Sequence, residues 1–415
     1  MPRFSPFPGL RYAPEIDLAD VTSPPYDVLT RTDRDRLIAR HPNNVVQIDL
    51  PVADASVAGT GEADTSVPGN GEDPYRAAAA LFEGWQESGV LVRDSPSLYV
   101  YRMDHLDEAG VARHTTGVIG ALELSRPGEG GILPHERTTT KAKSDRLDLT
   151  RATNANLSAV WGLSSGTGLS DLLATDENPL ATWTDSDGVA HSLWLITDPQ
   201  RQQAISDCVE GATIVIADGH HRFETALAYR DEVRSANGQI GGEHDSTMAF
   251  VVELAEGELN VQPIHRLLCD LPSELDIVAA LAKFFRLEDQ GSVAEMGTDV
   301  SARLVDEGAL GLVTRDRWSL LRPRPEAFAG VRDLDTVRLD HVLAGFPPHS
   351  LVFQHGVQAA VRQVRDGMAQ AAVLLRPATV SQIVEIADGG ERMPPKTTFF
   401  FPKPNTGVVF RTLDG

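Results

Sequence analysis

The sequence predicts an α+β fold with mixed and antiparallel sheets, and three observations carry that prediction. Short apolar runs of strand type mix irregularly with stretches of helix type, without the regular strand–helix rhythm of a doubly wound sheet. Several of the strand runs come in pairs joined by short turn signals, as in hairpins. No internal repeat is visible along the 415 residues, which excludes a solenoid or propeller.

Taken in order, the elements read as follows. TSPPYDVLT is a proline turn ending in Tyr26-Asp27. TRTDRDRLIARH is a short polar helix stopped by Pro42, and VVQIDL is a strand entered through an Asn-rich turn. Residues 53–72 are rich in Gly, Ser, Thr and acid and poor in large apolar groups, so a disordered surface insertion is expected. A helix follows at about 74–88, with Asp73 as cap, Pro74 in the first turn and Gly89 as stop. SLYVYRMDH and HTTGVIGALEL are two antiparallel strands. The segment from Ile132 to Leu163 is unusually dense in polar groups for one flanked by apolar runs. VAHSLWLIT is a strand after the turn DSDG, and DPQRQQAISDC is a helix capped by Asp198. ATIVIAD is a strand leading into the turn and helix of DGHHRFETALAYRDEVRSA. STMAFVVELAEGELNVQPIHRLL reads as a hairpin turning at AEGE, and LDIVAALAKFF as a helix. MAQAAVLLRPATVSQIVEIADGG is strand then helix, and the end is a β-rich tail with a turn at PNTG. Two regions are expected, an N-terminal one over 1–170 and a C-terminal one over 171–415.

Bulk properties narrow the function. The net charge of −22 argues against a general nucleic-acid surface, because phosphate backbones repel such a field. No run reaches the roughly 18 apolar residues of a membrane span. Prolines and a glycine interrupt the start where a signal core would lie, and the chain has only Cys208 and Cys269, so a cytoplasmic location is expected. The 37 basic residues include five lysines, and four of these fall in two short clusters. Arg and Lys are not interchangeable as phosphate ligands, which gives those four interest.

The densest chemistry is in ADGHHRFETA. Asp218, Gly219, His220, His221 and Arg222 crowd onto a strand-to-helix turn. Free N–H groups and the positive dipole end suit a phosphate there. Gly219 lets the backbone approach closely, Arg222 can hold two phosphate oxygens, and a histidine can exchange a proton near neutral pH. Asp218 could cap the helix, but capping does not account for His-His-Arg in a first turn that disfavours cations. A second cluster, LPHERTTTKAK, offers His135, Glu136, Thr138 and Lys141. A third, MPPKTTFFFPK, offers Lys396, Thr398 and Lys403, and Tyr26, Asp27, His265 and Arg266 stand near turns or strand ends in PPYDV and PIHRLL. GxxxxGK[ST], HExxH and CxxC are absent, so nucleotide handling would need another cradle.

These segments carry a resemblance. PPYDV, HPNNVVQIDLP, LPHERT, ADGHHRFETA, PIHRLL and MPPKTTFFFPK occur in the order of the hallmark segments of the prokaryotic domain-of-unknown-function family 1015, over about residues 4–411. More distantly, the strand, DGHHR turn and helix are similar to the phosphate-binding turn of the ParB/sulfiredoxin fold, which includes free-serine kinases. That likeness implies a ParB/sulfiredoxin-like core around the turn, with the aspartate and histidine serving catalysis. It also implies a glutamate from an earlier segment, with Glu136 first and Glu15 second as candidates. The expected function is a serine-kinase-like phosphotransferase using ATP or ADP with Mg²⁺ on a small hydroxylated substrate, with Asp218 or Glu136 as base. A non-catalytic nucleotide-binding regulatory module is the first alternative. The other is a metal-assisted hydrolase with Asp218, His220, His221 and His135 as ligands. The composition of 53–72 cannot bury enough apolar surface to offset its ordering entropy, so deleting it should leave the melting temperature and ligand binding nearly unchanged. A drop of many degrees in a thermal melt would contradict that reading.

Overall fold

The computed structural model describes residues 2–51, 73–107, 110–126, 129–134, 140–238, 240–389, 393–394, 396 and 397–414. The expected insertion at 53–72 lies outside them. The chain is α+β with mixed and antiparallel sheets, as its patterning predicts. It divides into two compact units, one of residues 1–105, 112–259 and 402–415, the other of 106–111 and 260–401. This division differs from the expected boundary at 170/171, because the tail rejoins the first unit after the second has been completed.

Among the described residues the first unit is built on a nine-stranded sheet. Its strands are β1 (Phe4–Ser5), β2 (Leu98–Leu106), β3 (Ala112–Glu123), β4 (Ile132–Pro134), β5 (Val160–Ser164), β6 (Ala181–Thr184), β7 (Ala190–Ile196), β8 (Ile214–Asp218) and β9 (Ser246–Glu253). The order is β4-β8-β5-β9-β3-β2-β7-β6, with β1 added to β3. β8 runs parallel to β4 and antiparallel to β5, and β5 runs parallel to β9, so the sheet is mixed where β8 lies. The helices form where the sequence signals them. α1 (Arg31–Arg40) starts in a Thr30–Asp33 capping box, and Asp73 and Asp198 cap α2 (Pro74–Glu87) and α4 (Pro199–Glu210). α3 (Thr140–Thr153) occupies the polar segment. α5 (His220–Asn237) ends at Gly238, whose left-handed φ of 64° suits a helix stop. Phe223 and Ala226 of α5 pack on Ile214, Ile216 and Val251 of the sheet, which fixes the helix axis behind β8.

The second unit carries a seven-stranded sheet among the described residues. Its strands are β10 (Asn260–Cys269), β11 (Phe285–Ser292), β12 (Leu310–Val313), β13 (Arg317–Pro323), β14 (Ser350–His355), β15 (Ala371–Leu374) and β16 (Thr398–Phe401). The order is β11-β13-β12-β15-β10-β14, with β16 also on β10. Leu267 and Leu268 point into separate apolar clusters, as successive residues of a strand buried on both faces must.

Two expectations fail here. AEGE does not turn a hairpin: β9 is flanked by β3 and β5, while β10 pairs with β14, β15 and β16 in the other unit. Both edges of β9 are already taken, so the chain leaves the sheet instead of folding back. VVQIDL is not a strand but a short helix over Val46–Asp49, started by the Asn44 side chain accepting from the Val46 N–H at 3.0 Å.

Sheet closure at β1 depends on one missing side chain. A Cβ on Gly120 of β3 would overlap the buried Phe4 ring. Gly120→Ala should cost about 1–3 kcal/mol, the usual range for overpacking. Urea denaturation would read this, and an unchanged midpoint would mean that Phe4 has room to move.

Candidate functional site

The site begins where β8 ends. Asp218 is its last residue and His220 the first of α5. Gly219 between them has φ +84°, a left-handed backbone that glycine adopts without strain. A Cβ there would lie 2.9–3.1 Å from the Arg222 guanidinium, so the glycine also makes room for Arg222 to fold back over the turn. Gly219 is the N-cap, and no side chain caps the helix. The first helical hydrogen bond runs from the Phe223 N–H to the Gly219 carbonyl at 2.9 Å. The amides of residues 220–222 therefore stand ahead of the helical ladder, at its positive end. Asp218 has a task other than capping.

That task is to hold two cations. Asp218 Oδ2 accepts from Arg222 Nη2 at 2.6 Å, and Oδ1 accepts from Lys403 Nζ. Lys403 Nζ also lies 3.5 Å from Asp27 Oδ2, and Arg222 Nη1 donates to the Ala159 carbonyl. Burial opposes ionisation of Asp218, but Lys403, then Arg222 and His220, outweigh it and hold the carboxyl well below the usual carboxylate range. Burial likewise works against the Lys403 ammonium, and Asp218 and Asp27 overcome it and push its pKa above the usual lysine value. His220 is buried and His221 half-buried in the first turn of α5.

Three other segments support this cluster. The tail carrying Lys403 is laddered to the segment before Tyr26: Thr406 N–H donates to the Ser23 carbonyl at 2.8 Å and Ser23 N–H to the Thr406 carbonyl at 3.2 Å. Pro25 then leads into a 3-10 turn over Tyr26–Val28 that sets Asp27 beside Lys403. Arg146 of α3 lies over the Tyr26 ring, 4.1 Å from its centroid, and donates to the Asp49 carbonyl at 2.6 Å. Burial pushes the Tyr26 hydroxyl up to about 12 against the pull of Arg146. Burial also raises the Asp49 carboxyl, with Arg146 and Arg222 opposing. A cavity of about 40 Å³ adjoins, lined in part by Asp49, Arg146, Arg222, Thr225 and Tyr229.

Of the residues singled out in the sequence, Asp218, Gly219, His220, His221, Arg222, Tyr26, Asp27 and Lys403 all belong to the first unit. Lys396, Thr398, His265 and Arg266 belong to the second. There Lys396 is exposed and Thr398 buried on β16. His265 is buried, accepts from the Leu375 N–H at 3.2 Å, and is pushed down to about 3 by burial, with His355 and Arg266 adding. Arg266 donates to the Ile264 carbonyl at 2.7 Å and lies over the Phe353 ring. His135, Glu136 and Thr138 lie outside the described residues, as does the side chain of Lys141. Sequence reasoning missed Arg146 and Asp49. Arg146 was signalled by no more than the polar density of the segment that became α3, and Asp49 lay in a run read as a strand. Arg222, expected to keep its fork for phosphate, spends one arm on Asp218 and the other on Ala159.

The chain belongs to a family described as "Protein of unknown function (DUF1015)", whose model matches residues 4–340. The match stops short of Lys403. No curated protein matches the chain. Among solved structures it is similar to a free serine kinase in complex with AMP, at 12% identity and TM-score 0.35, over 65% of this chain and 83% of that one. It is similar also to a conserved hypothetical protein from Pyrococcus furiosus, at 13% identity and TM-score 0.34, over 67% and 90%. A third is SbnI with C-terminal truncation from Staphylococcus aureus, at 10% identity and TM-score 0.36, over 69% and 85%. Likeness at this level is too loose to transfer an activity. Among the described residues no group of three or more His, Cys, Asp and Glu could hold a metal ion, and no helix is long and apolar enough to cross a membrane.

The Asp218–Lys403 pair has a defined pH window. Asp218 is more acidic folded than unfolded, so its contribution is complete above about pH 4 and lost as pH falls toward its lowered folded value. Lys403 is raised on folding, so its contribution is complete below about pH 10 and lost as pH rises toward its folded value. The side chains are 17% and 14% exposed, so screening is limited. Asp218→Asn and Lys403→Met should each cost about 3 kcal/mol at neutral pH by stranding a buried charge. The double variant should recover part of that loss. Additive losses in chemical denaturation would show the pair to be uncoupled.

Proposed function

We propose that the first unit is a phosphotransferase that binds a nucleotide phosphate at the start of α5 and passes a phosphoryl group to a small hydroxylated molecule. One observation carries this reading: a helix start with no side-chain cap, on which Lys403 and Arg222 are held by one ionised aspartate. A phosphate would meet the amides of residues 220–222, the charges of Arg222 and Lys403, and the helix dipole. The sequence resemblance of Asp218 to Arg222 to the serine-kinase turn agrees with this reading.

The roles differ from those expected in one respect. A carboxyl as acidic as Asp218 is a poor proton acceptor, so its part is to position Lys403 and Arg222. Asp27 is the better acceptor among the described residues. Its Oδ1 is buried and has no hydrogen-bond partner there, and its Oδ2 is beside Lys403. In the transfer, the substrate oxygen bonds to the terminal phosphorus as the bridging P–O bond breaks. The hydroxyl proton goes to Asp27, and the shortened nucleotide leaves. His221 keeps the proton-exchanging role its imidazole suits. Among the described residues, those of this cluster do not fit a resident magnesium ion. Both Asp218 oxygens are committed to cations, and Asp27 already faces an ammonium.

Calorimetric titration with ATP and ADP, beside a transfer assay on hydroxylated small molecules, tests this. Lys403→Met should weaken nucleotide binding at least about tenfold, the loss of one charge-assisted contact. Asp27→Asn should leave binding nearly intact and slow transfer by about 10²–10⁴-fold. Nucleotide affinity unmoved by Lys403→Met would overturn the site. Tight binding without transfer to any acceptor would make the unit a regulatory nucleotide sensor.

A further inference from the structure

A second buried polar group meets the same tail two residues beyond Lys403. Tyr101 of β2, His191 of β7 and Trp183 of β6 stand on three adjacent strands. Register puts His191 opposite Trp183 and Leu193 opposite Tyr101, so the three rings share one face. They stack nearly parallel, Tyr101 to His191 at 5.8 Å and 8° and Trp183 to His191 at 4.9 Å and 12°. A continuous hydrogen-bonded chain runs along their edges. Asn405 N–H donates to Tyr101 Oη at 3.3 Å, Tyr101 Oη lies 2.8 Å from His191 Nδ1, and His191 Nε2 lies 3.0 Å from Asp185 Oδ2. The Asn405 side-chain amide lies against the same ring, 3.4 Å from Nε2.

The two ends suit one direction for the bonds between them. A backbone N–H can only donate, so Tyr101 Oη accepts from Asn405 and keeps its own proton to offer to His191 Nδ1. In the tautomer that serves both neighbours, Nδ1 accepts from Tyr101 and Nε2 carries the proton toward Asp185. Asp185 is itself anchored, since its Oδ1 accepts from the Asp187 and Val189 N–H groups at 2.9 and 3.0 Å. Burial opposes the Asp185 charge, but His191 and those amides outweigh it and keep the carboxyl below its usual value. Tyr101 and His191 are buried, so water cannot stand in for a missing member. Stacking alone would be served as well by phenylalanine, at no cost in buried polar groups. What the polar chain adds is a fixed acceptor for one amide of the tail.

We infer that Tyr101, His191 and Asp185 are positioning residues for Lys403, acting through Asn405 two residues further along the tail. The inference rests on the proposed phosphate-binding role of Lys403. Four methylene groups leave the ammonium wide freedom unless its backbone is held. The Ser23–Thr406 ladder and the Tyr101–Asn405 bond hold that backbone from two directions, with the ammonium between Asp27 and Asp218.

Tyr101→Phe removes one hydroxyl and keeps the stack. Two measurements on the full chain separate this inference from the function it rests on. In protein labelled at the lysine side chains, the five lysines can be followed by NMR, and Lys403 is assigned by its loss in Lys403→Met. In Tyr101→Phe the Lys403 signal should titrate at lower pH than in the wild type. ATP affinity should fall about fivefold, the usual worth of one buried hydrogen bond. In a Lys403→Met background the same substitution should change ATP affinity no further. Asp185→Asn, at the surface turn, should move Lys403 in the same direction by less, and covers the case in which Tyr101→Phe does not fold. A lower melting temperature with an unmoved Lys403 titration would overturn the inference and leave the chain a structural feature. If the wild type binds no nucleotide, the Lys403 titration decides the inference by itself.

Discussion

The buried pair between Asp218 and Lys403 sets a condition that the rest of the first unit meets. Removing two such charges from water costs several kcal/mol each unless they find one another. They stand 185 residues apart in the chain. Between them the chain runs through residues 260–401 of the second unit and then returns a short tail to the first. The tail is tied at each step: Lys403 to Asp218, Asn405 to Tyr101, Thr406 to Ser23, Phe410 to Leu10, and Arg411 to Asn156. Without those ties the ammonium would have to stay in water, and Asp218 and Arg222 would be left to balance each other alone. In topological terms the second unit is an insertion between β9 and this tail. A cut in the sequence at 170/171 could not show that, because composition does not change where the chain crosses over.

What was legible in the sequence was local. The strand ATIVIAD, the glycine turn and the helix after it follow from apolar run, φ-permissive residue and cap statistics within some 25 residues. Capping residues Asp73, Thr30 and Asp198 acted where they stood. The importance of Lys403 was legible too, but only from its rarity as a lysine in an arginine-rich chain, not from any sign of its partner. What was not legible was pairing over distance. Lys396 and Lys403 look equivalent in MPPKTTFFFPK, yet one falls in each unit. AEGE has the chemistry of a hairpin turn, and only the occupation of both β9 edges by β3 and β5 denies it that role. Arg146 and Asp49 carried no motif. They matter because Arg146, buried against Tyr26, donates to the Asp49 carbonyl as well as to its neighbour Asp145.

The polar groups of the first unit are best understood together. Asp218, Lys403, Arg222 and Asp27 form one partly buried set, and Arg146, Asp49 and Asp145 another beside it. Each positive group faces at least one carboxylate, so the set is close to neutral before any ligand arrives. Such an arrangement is not the cheapest way to build a core, since well-packed apolar residues of equal volume are often as stable or more so. It is, however, a way to hold cations rigid. Lys403 is set between two carboxylates, and Arg222 between one carboxylate and one carbonyl.

The same charge balance decides which group can move a proton. A carboxylate that accepts from two cations in a water-poor site gains little from protonation, and Asp218 is such a group. Asp27 differs: its Oδ2 is 3.5 Å from the ammonium, while its Oδ1 is buried and meets no hydrogen-bond donor among the described residues. A buried acceptor without a donor costs stability, about 1–3 kcal/mol, and persists where a ligand or water completes it. A substrate hydroxyl arriving there would satisfy that oxygen and give up its proton to it in a single contact. On this account the aspartate that the turn motif singles out is the scaffold. The less conspicuous aspartate of PPYDV, brought in beside the returning tail, stands where the reaction would need a base.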